Sequence, residues 1–234
     1  MIYVTSDIHG NYDKYLALLK KINLRDNDAL VILGDVVDRG SESMEILLDI
    51  MSRKNIFMVM GNHEHIALAC ISKLSQEITK ESIAALDDGI TEMIGEWLYN
   101  LGGQATLESF LKLSSNEKNK ILDYLNDVPL FEEFEINNQV YLLVHGGLGN
   151  FDSKKDIYDY TDDEILWDRM DYGMVYYQDK IIVTGHTPTR HIKCNPKADY
   201  IFKGNNHIAI DCGCSYDGGK LGCICLNTME EFYI

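Results

Sequence analysis

Residues 29–40 read ALVILGDVVDRG: an apolar run ending in Gly34, then two carboxylates, Asp35 and Asp38, and an arginine, Arg39. A short, β-rich apolar stretch closed by a glycine reads as a buried strand, which puts the charges where the strand runs out. Four other stretches repeat the arrangement: IYVTSDIHG at 2–10, NIFMVMGNHE at 55–64, VYLLVHGG at 140–147 and KIIVTGHTP at 180–188. In open α/β sheets ligands bind outside the carboxyl ends of the strands, so these ends can converge on one site.

Helical patterns separate the first three runs. YDKYLALLKKI (12–22) places Tyr12, Tyr15, Leu16, Leu19 and Ile22 on one stripe, and SESMEILLDIM (41–51) offers Ser41 or Ser43 as an N-cap. The order β-α-β-α-β predicts parallel strands with right-handed crossovers. From about 65 to 130 the chain reads as mainly helical: ESIAALDDGITEMIGEWLYNLGG (81–103) is ended by Gly102 and Gly103, and NEKNKILDYLNDVP (116–129) by Pro129. Strands dominate after that. The expected class is α/β, in part α+β, formed by one domain over 1–234.

Composition limits what the charges can be for. At 234 residues and 46% apolar content the chain can bury one substantial core, and its three prolines mark no linker. No apolar run approaches the length of a membrane span and no leader pattern precedes IYVTSD, so a soluble, cytoplasmic protein without a membrane partner is expected. The formal net charge of −16 repels a nucleic-acid backbone and argues against that class of partner.

Together the strand ends offer Asp7, His9, Asp35, Asp38, Asn62, His63, His145 and His186. Oxygen and imidazole donors without a thiolate suit Mn, Fe or Zn, and the number of donors suits two ions. A lone histidine after a strand is ordinarily a satisfied core or surface residue. Polar clusters at successive strand ends are not explained that way.

SDIHG, GDVVDRG, GNHE, HGG and GHTP, in this order, resemble the signature of the phosphoprotein phosphatase family of calcineurin-like metallophosphoesterases, especially its short bacterial and bacteriophage members. The resemblance runs from residue 3 to about 220 and implies a β-sandwich flanked by helices. It implies that Asp7, His9 and Asp35 hold one divalent ion, and that Asp35 bridges to a second held also by Asn62, His145 and His186. It makes His63 a general acid paired with Asp38, and Arg39 a phosphate contact. ILWDRMD (165–171) resembles the W-x-R stretch of the phage-type enzymes, which makes Arg169 the second phosphate contact.

Two residues depart from the pattern. Ser6 stands where a glycine is usual, and Met60 precedes GNHE where many eukaryotic members have arginine, leaving more of the phosphate binding to Arg39 and Arg169. The implied cofactors are two divalent ions, Mn²⁺ first and Fe or Zn as alternatives, acting by activating a shared water. The implied activity is hydrolysis of phosphate monoesters, chiefly phosphoserine and phosphothreonine in proteins or peptides, with phosphotyrosine and small phosphate esters as further substrates. The alternative is a symmetrical dinucleoside polyphosphate hydrolase. A non-catalytic scaffold would be expected to have lost a ligand or His63, and none is missing.

Three histidines fall outside the set: His65 is expected on a helix, His191 in a loop and His207 on a strand. The segment IDCGCSYDGGKLGCICL (210–226) reads as a hairpin turning at Gly218 and Gly219. That register pairs Cys214 with Cys223 and Cys212 with Cys225, with all four thiols on one sheet face beside Ile208 and Ile210.

Overall fold

Strand β2, Ala29–Leu33, runs parallel between β1, Ile2–Thr5, and β3, Ile56–Val59. The computed structural model describes residues 1–75, 79 and 87–234. Helices α1, Tyr12–Ile22, and α2, Ser43–Ser52, make the two crossovers, as the β-α-β-α-β pattern predicts. The remaining strands are β4 Phe131–Ile136, β5 Gln139–Val144, β6 Lys180–Thr184, β7 Phe202–Gly204, β8 His207–Ala209, β9 Gly222–Cys225 and β10 Glu230–Tyr233. They complete two five-stranded sheets, ordered β10-β9-β1-β2-β3 and β4-β5-β6-β8-β7.

Alternation along each strand explains the layering. Val31 and Leu33 of β2 face the inter-sheet core with Val4, Val59, Leu143, Val183, Ile208 and Ile224. Leu30 and Ile32 point the other way, into the core shared with α1 and α2. A strand buried on both faces reads as an unbroken apolar run, which is why ALVIL shows no alternation in sequence. Because β1, β2 and β3 are parallel, as are β5 and β6, their carboxyl ends share one edge of the sandwich.

Several local expectations change. The buried stripe of α1 is Tyr15, Leu18 and Ile22, while Leu16 is 39% exposed. Glu42, with no side-chain capping bond, precedes α2; Ser43 is instead its first residue, buried 3.5 Å from the Thr106 hydroxyl. Between about 65 and 130 the described chain is helical, but the part of the 81–103 helix at 81–86 lies outside the described residues. Gly102 and Gly103 do not simply end that helix. Gly102 (φ +87°) is a left-handed corner, and Gly103 opens the next helix, Gly103–Leu111. The helix Ser115–Asp127 starts in a Ser114–Glu117 capping box and stops before Pro129. Among the described residues no helix is long and apolar enough to cross a membrane.

The expected cysteine hairpin does not form. β9 pairs instead with β1 (Thr5 opposite Cys223) and with β10, and the Thr5 hydroxyl donates to the Gly222 carbonyl at 2.7 Å. The loop makes two successive turns, 213–216 and 216–219, with Gly218 (φ +71°) in the second: Tyr216 N–H donates to the Gly213 carbonyl, Gly219 N–H to that of Tyr216, and Lys220 N–H to that of Cys212. Sheet pairing thus sets a register different from the one a Gly218–Gly219 hairpin would impose. Cys214, Cys223 and Cys225 pack in the helix-side core and Cys212 in the inter-sheet core, all as free thiols. Burial pushes the Cys214 thiol up to about 12 and raises those of Cys212 and Cys223 as well, so none of these three is poised to react.

His65 lies on α3, Asn62–Leu74, His191 in a short 3-10 turn and His207 on β8. His207 is buried between Tyr172 and Tyr176, each ring centroid 5.3 Å away, and neither of its nitrogens has a hydrogen-bond partner. Burial lowers its pKa to about 4. The unfolded chain, with an ordinary histidine pKa near ~6.5, therefore takes up the proton first, and stability is lost as pH falls through that window. Going from pH 7 to 5, the wild type should lose about 2 kcal/mol that His207→Phe retains, read from urea unfolding at both pH values.

Candidate metal centre and phosphate site

The strand ends leave their sheets through strained backbone. Asp7 (φ 53°), His9 (49°), Asp35 (55°), Asp38 (70°), Arg39 (67°) and His186 (60°) all adopt the left-handed conformation without being glycine. Each costs on the order of 1–3 kcal/mol, which surrounding bonds must offset. The ends of β1 and β2 remain zipped beyond their strands: Asp7, His9 and Gly10 donate to the carbonyls of Gly34, Asp35 and Val36.

Glu64, the last residue of GNHE, supplies the rest of that support, a role its place in the motif does not reveal. Its buried carboxylate accepts N–H groups from Asp35 and Gly61 on one oxygen and from Val36 and Val37 on the other. Burial and the Asp35 charge push its pKa up to about 7, yet four donors leave no place for a proton, so the geometry accommodates the carboxylate. Gly61 is required beside it, because a Cβ there would lie 2.4 Å from both the nitrogen and a carboxylate oxygen of Asp35. Glu64→Ala strands four buried donors. It should cost on the order of 3–6 kcal/mol in urea unfolding.

The histidine rings are oriented by backbone carbonyls. His9 Nδ1 lies 2.9 Å from the Val37 carbonyl and His145 Nδ1 2.6 Å from that of Leu33. A carbonyl only accepts, so each Nδ1 carries the proton and each Nε2 turns a lone pair toward Asp35. His9 Nε2 faces Asp35 Oδ2 at 3.7 Å, and His145 Nε2 faces Asp35 Oδ1 at 3.2 Å. His186 spends its Nε2 proton on the Trp167 carbonyl at 3.2 Å.

Asn62 tests whether metal fits. Its Oδ1 lies 2.8 Å from His145 Nε2 and 3.0 Å from His186 Nδ1, so with both rings neutral three acceptor atoms meet. Positive charge at that point relieves the contact. In the protein alone the charge comes as a proton: burial would lower the His145 pKa, but Asp35 and Asp7 raise it to about 10. The donor atoms form two groups, His9/Asp35/His63 and Asp35/His145/His186, with Asp35 common to both. Asp7 lies outside those two groups but lines the same pocket, accepting the His186 N–H at 3.1 Å. Burial and Asp35 raise its pKa to about 6, the mark of carboxylates crowded without a cation. The donor set fits two divalent ions.

His63 Nδ1 sits 2.6 Å from Asp38 Oδ2, both side chains buried, and Asp38 also accepts Trp97 Nε1–H at 3.1 Å and the Thr106 hydroxyl at 2.7 Å. Burial would lower the His63 pKa, but Asp35 and Asp38 raise it. Arg39 Nη2 is 3.3 Å from His63 Nε2, and its backbone is fixed by Gly102, whose carbonyl accepts the Arg39 N–H at 3.0 Å. Arg169 donates to the His186 carbonyl at 3.2 Å and to Thr187 Oγ1 at 3.1 Å. Asp7, Asp35, Arg39, Asn62, His63, Arg169 and His186 line one pocket of about 330 Å³.

The family model for "Calcineurin-like phosphoesterase" matches residues 1–213. The chain is a member of that family. Its relatives include serine/threonine-protein phosphatase 2 of Salmonella typhimurium, 29% identical over 173 residues that span 72% of this chain and 67% of that protein. A symmetrical bis(5'-nucleosyl)-tetraphosphatase of Salmonella paratyphi A is 35% identical over 86 residues, 36% of this chain and 30% of the relative. Among solved structures, a putative diadenosine tetraphosphatase matches with TM-score 0.69 at 17% identity, covering 100% of this chain and 92% of its own. A Saccharomyces cerevisiae protein serine/threonine phosphatase matches with TM-score 0.57 at 20% identity, covering 95% and 71%.

Beyond the quoted motifs, Leu101, Tyr216 and Asp211 also line the pocket of this calcineurin-like phosphoesterase, as does Trp167 of the W-x-R stretch. Asp211 is buried, accepts the Gly213 N–H at 2.8 Å, and has its pKa raised well above the carboxylate range by burial and by Asp7. Trp167 stood in sequence beside Arg169. Tyr216 and Asp211 lay in the segment read as a hairpin, so a correct loop register was the missing signal.

Proposed function

We propose that the chain hydrolyses phosphate monoesters and that its substrates are phosphoserine and phosphothreonine in proteins. The observation that carries the hydrolytic reading is Asp35, whose two oxygens face separate imidazole groups while a His–carboxylate pair and two arginines share the pocket. Asp7, His9 and Asp35 would hold one ion, and Asp35, Asn62, His145 and His186 the other. Two divalent ions supply Lewis-acid polarisation of phosphate and lower the pKa of a shared water. Mn²⁺ suits this oxygen and imidazole set.

Arg39 and Arg169 orient the phosphate dianion. With two divalent ions bound beside them, they would give an acidic chain a locally positive pocket. His63 holds a proton for the departing alkoxide, and Asp38, fixed by Trp97 and Thr106, keeps that ring charged and aimed. A charge-assisted contact is worth roughly 1.5–3 kcal/mol. Arg169→Ala should therefore raise KM and lower kcat/KM for phosphopeptides by about 10-fold to 100-fold. Unchanged kinetics would remove Arg169 from the phosphate site.

The phosphoprotein reading is supported by the longer alignment, that with the protein phosphatase. The shorter alignment with the symmetrical tetraphosphatase favours a second reading, cleavage of dinucleoside polyphosphates. Turnover of a phosphopeptide panel beside diadenosine tetraphosphate, after Mn²⁺ is restored to apoprotein, separates them. Cleavage of the dinucleotide alone would overturn the first reading.

A further inference from the structure

Beside the catalytic pocket lies a larger chamber of about 620 Å³. Arg169, Pro188 and Tyr216 line both cavities, so they share a wall. More of the chamber's surface is apolar than polar: Met170, Tyr172 and Ile192, largely buried, show their edges in it, Cys194 is exposed at it, and Asp171, His191 and Lys193 also line it. Nothing in phosphate hydrolysis itself uses this space.

The shared wall is built rather than incidental. Tyr216 is 39% exposed, yet its ring lies between two guanidinium groups, Arg190 at 4.9 Å and Arg39 at 5.9 Å from its centroid. Arg190 is fixed by Asp199 at 2.6 and 3.0 Å, and Arg39 by the Ser215 hydroxyl at 2.9 Å. On the other side Arg169 is tied to Thr187, which itself lines the chamber. The wall therefore links the two guanidinium groups of the phosphate pocket to the apolar space next door.

We propose that this chamber is a substrate subsite that takes an apolar or aromatic side chain within a few residues of the phosphorylated one. This rests on the phosphoprotein reading. The catalytic pocket can hold the phosphate but has little apolar surface with which to choose between proteins. The chamber has the size of a ligand site, roughly 300–1,000 Å³, and lies where a chain leaving the phosphate across Tyr216 would pass. Burying one large apolar side chain there should strengthen binding about 10-fold to 100-fold.

The test uses phosphoserine peptides with Phe, Leu or Gly scanned through the flanking positions. Wild type should show a KM at least about 10-fold lower for Phe or Leu than for Gly at one or two positions, and His63→Asn the same ratio in Kd. Cys194 is the exposed cysteine and the other five are buried, so a bulky maleimide should block the chamber selectively. Blocking should abolish the preference, while Cys194→Ser protein is insensitive to the reagent; Cys194→Trp imposes the same block by mutation. p-Nitrophenyl phosphate, too small to reach the chamber, reports the catalytic pocket. Phosphopeptide cleavage with a KM indifferent to the flanking side chain overturns the subsite alone. Equal loss of both substrates on blocking overturns it too, by assigning the effect to the catalytic pocket. Cleavage of diadenosine tetraphosphate but of no phosphopeptide overturns the substrate reading and the subsite with it.

Discussion

Asp35→Asn should lose metal and activity together. Asp35 turns one oxygen to His9 and the other to His145, so its charge belongs to both donor groups. The amide keeps the shape but removes the negative charge and one of the two acceptors. Bound metal, measured by elemental analysis after gel filtration, should fall well below the wild-type content, and phosphatase activity should fall to background. Prolonged chelation of the wild type should do the same, with Mn²⁺ restoring turnover there but not in the variant. Full activity in rigorously metal-free protein would sink the mechanism. The Asp35 carboxyl itself offers little alternative role as a proton carrier: burial would raise its pKa, but His145 and His63 hold it well below the usual range.

His63→Asn should separate chemistry from metal binding. The ring's Nδ1 is committed to Asp38, and its other nitrogen faces Arg39 and the pocket. Loss of a general acid should lower kcat about 10²-fold to 10⁴-fold for phosphoserine peptides, whose alkoxide leaves poorly without a proton. An activated aryl phosphate needs little protonation and should lose far less. Metal content should stay near wild type. Equal losses for both substrates would mean that His63 does not protonate the leaving group.

Legibility in the sequence followed locality. Each strand end carries its polar residues within a few positions of the apolar run, so Asp7, His9, Asp35, Asn62, His145 and His186 could be named before their convergence was seen. The parallel order of β1, β2 and β3 followed from the intervening helices. What failed was decided across the chain. Trp97 and Thr106 reach Asp38 from 59 and 68 residues away, and no motif announces such partners. The Gly218–Gly219 turn looked decisive locally, but pairing of β9 with β1, more than two hundred residues earlier, set the register. The α1 stripe shifted from Leu16 to Leu18 because the core it meets, not the helix period alone, chooses the buried face.

The Asn62 oxygen carries one more consequence. It stands at the end of β3 in the first sheet, and the two imidazoles it meets, His145 and His186, follow β5 and β6 of the second. An ion held at that point would be a cross-tie between the two halves of the sandwich. Ligand that binds only the folded form adds about 2.7 kcal/mol at a hundred times its dissociation constant. The melting temperature of this protein should accordingly rise with free metal concentration, and scarcity of metal would loosen the sandwich as well as silence the enzyme.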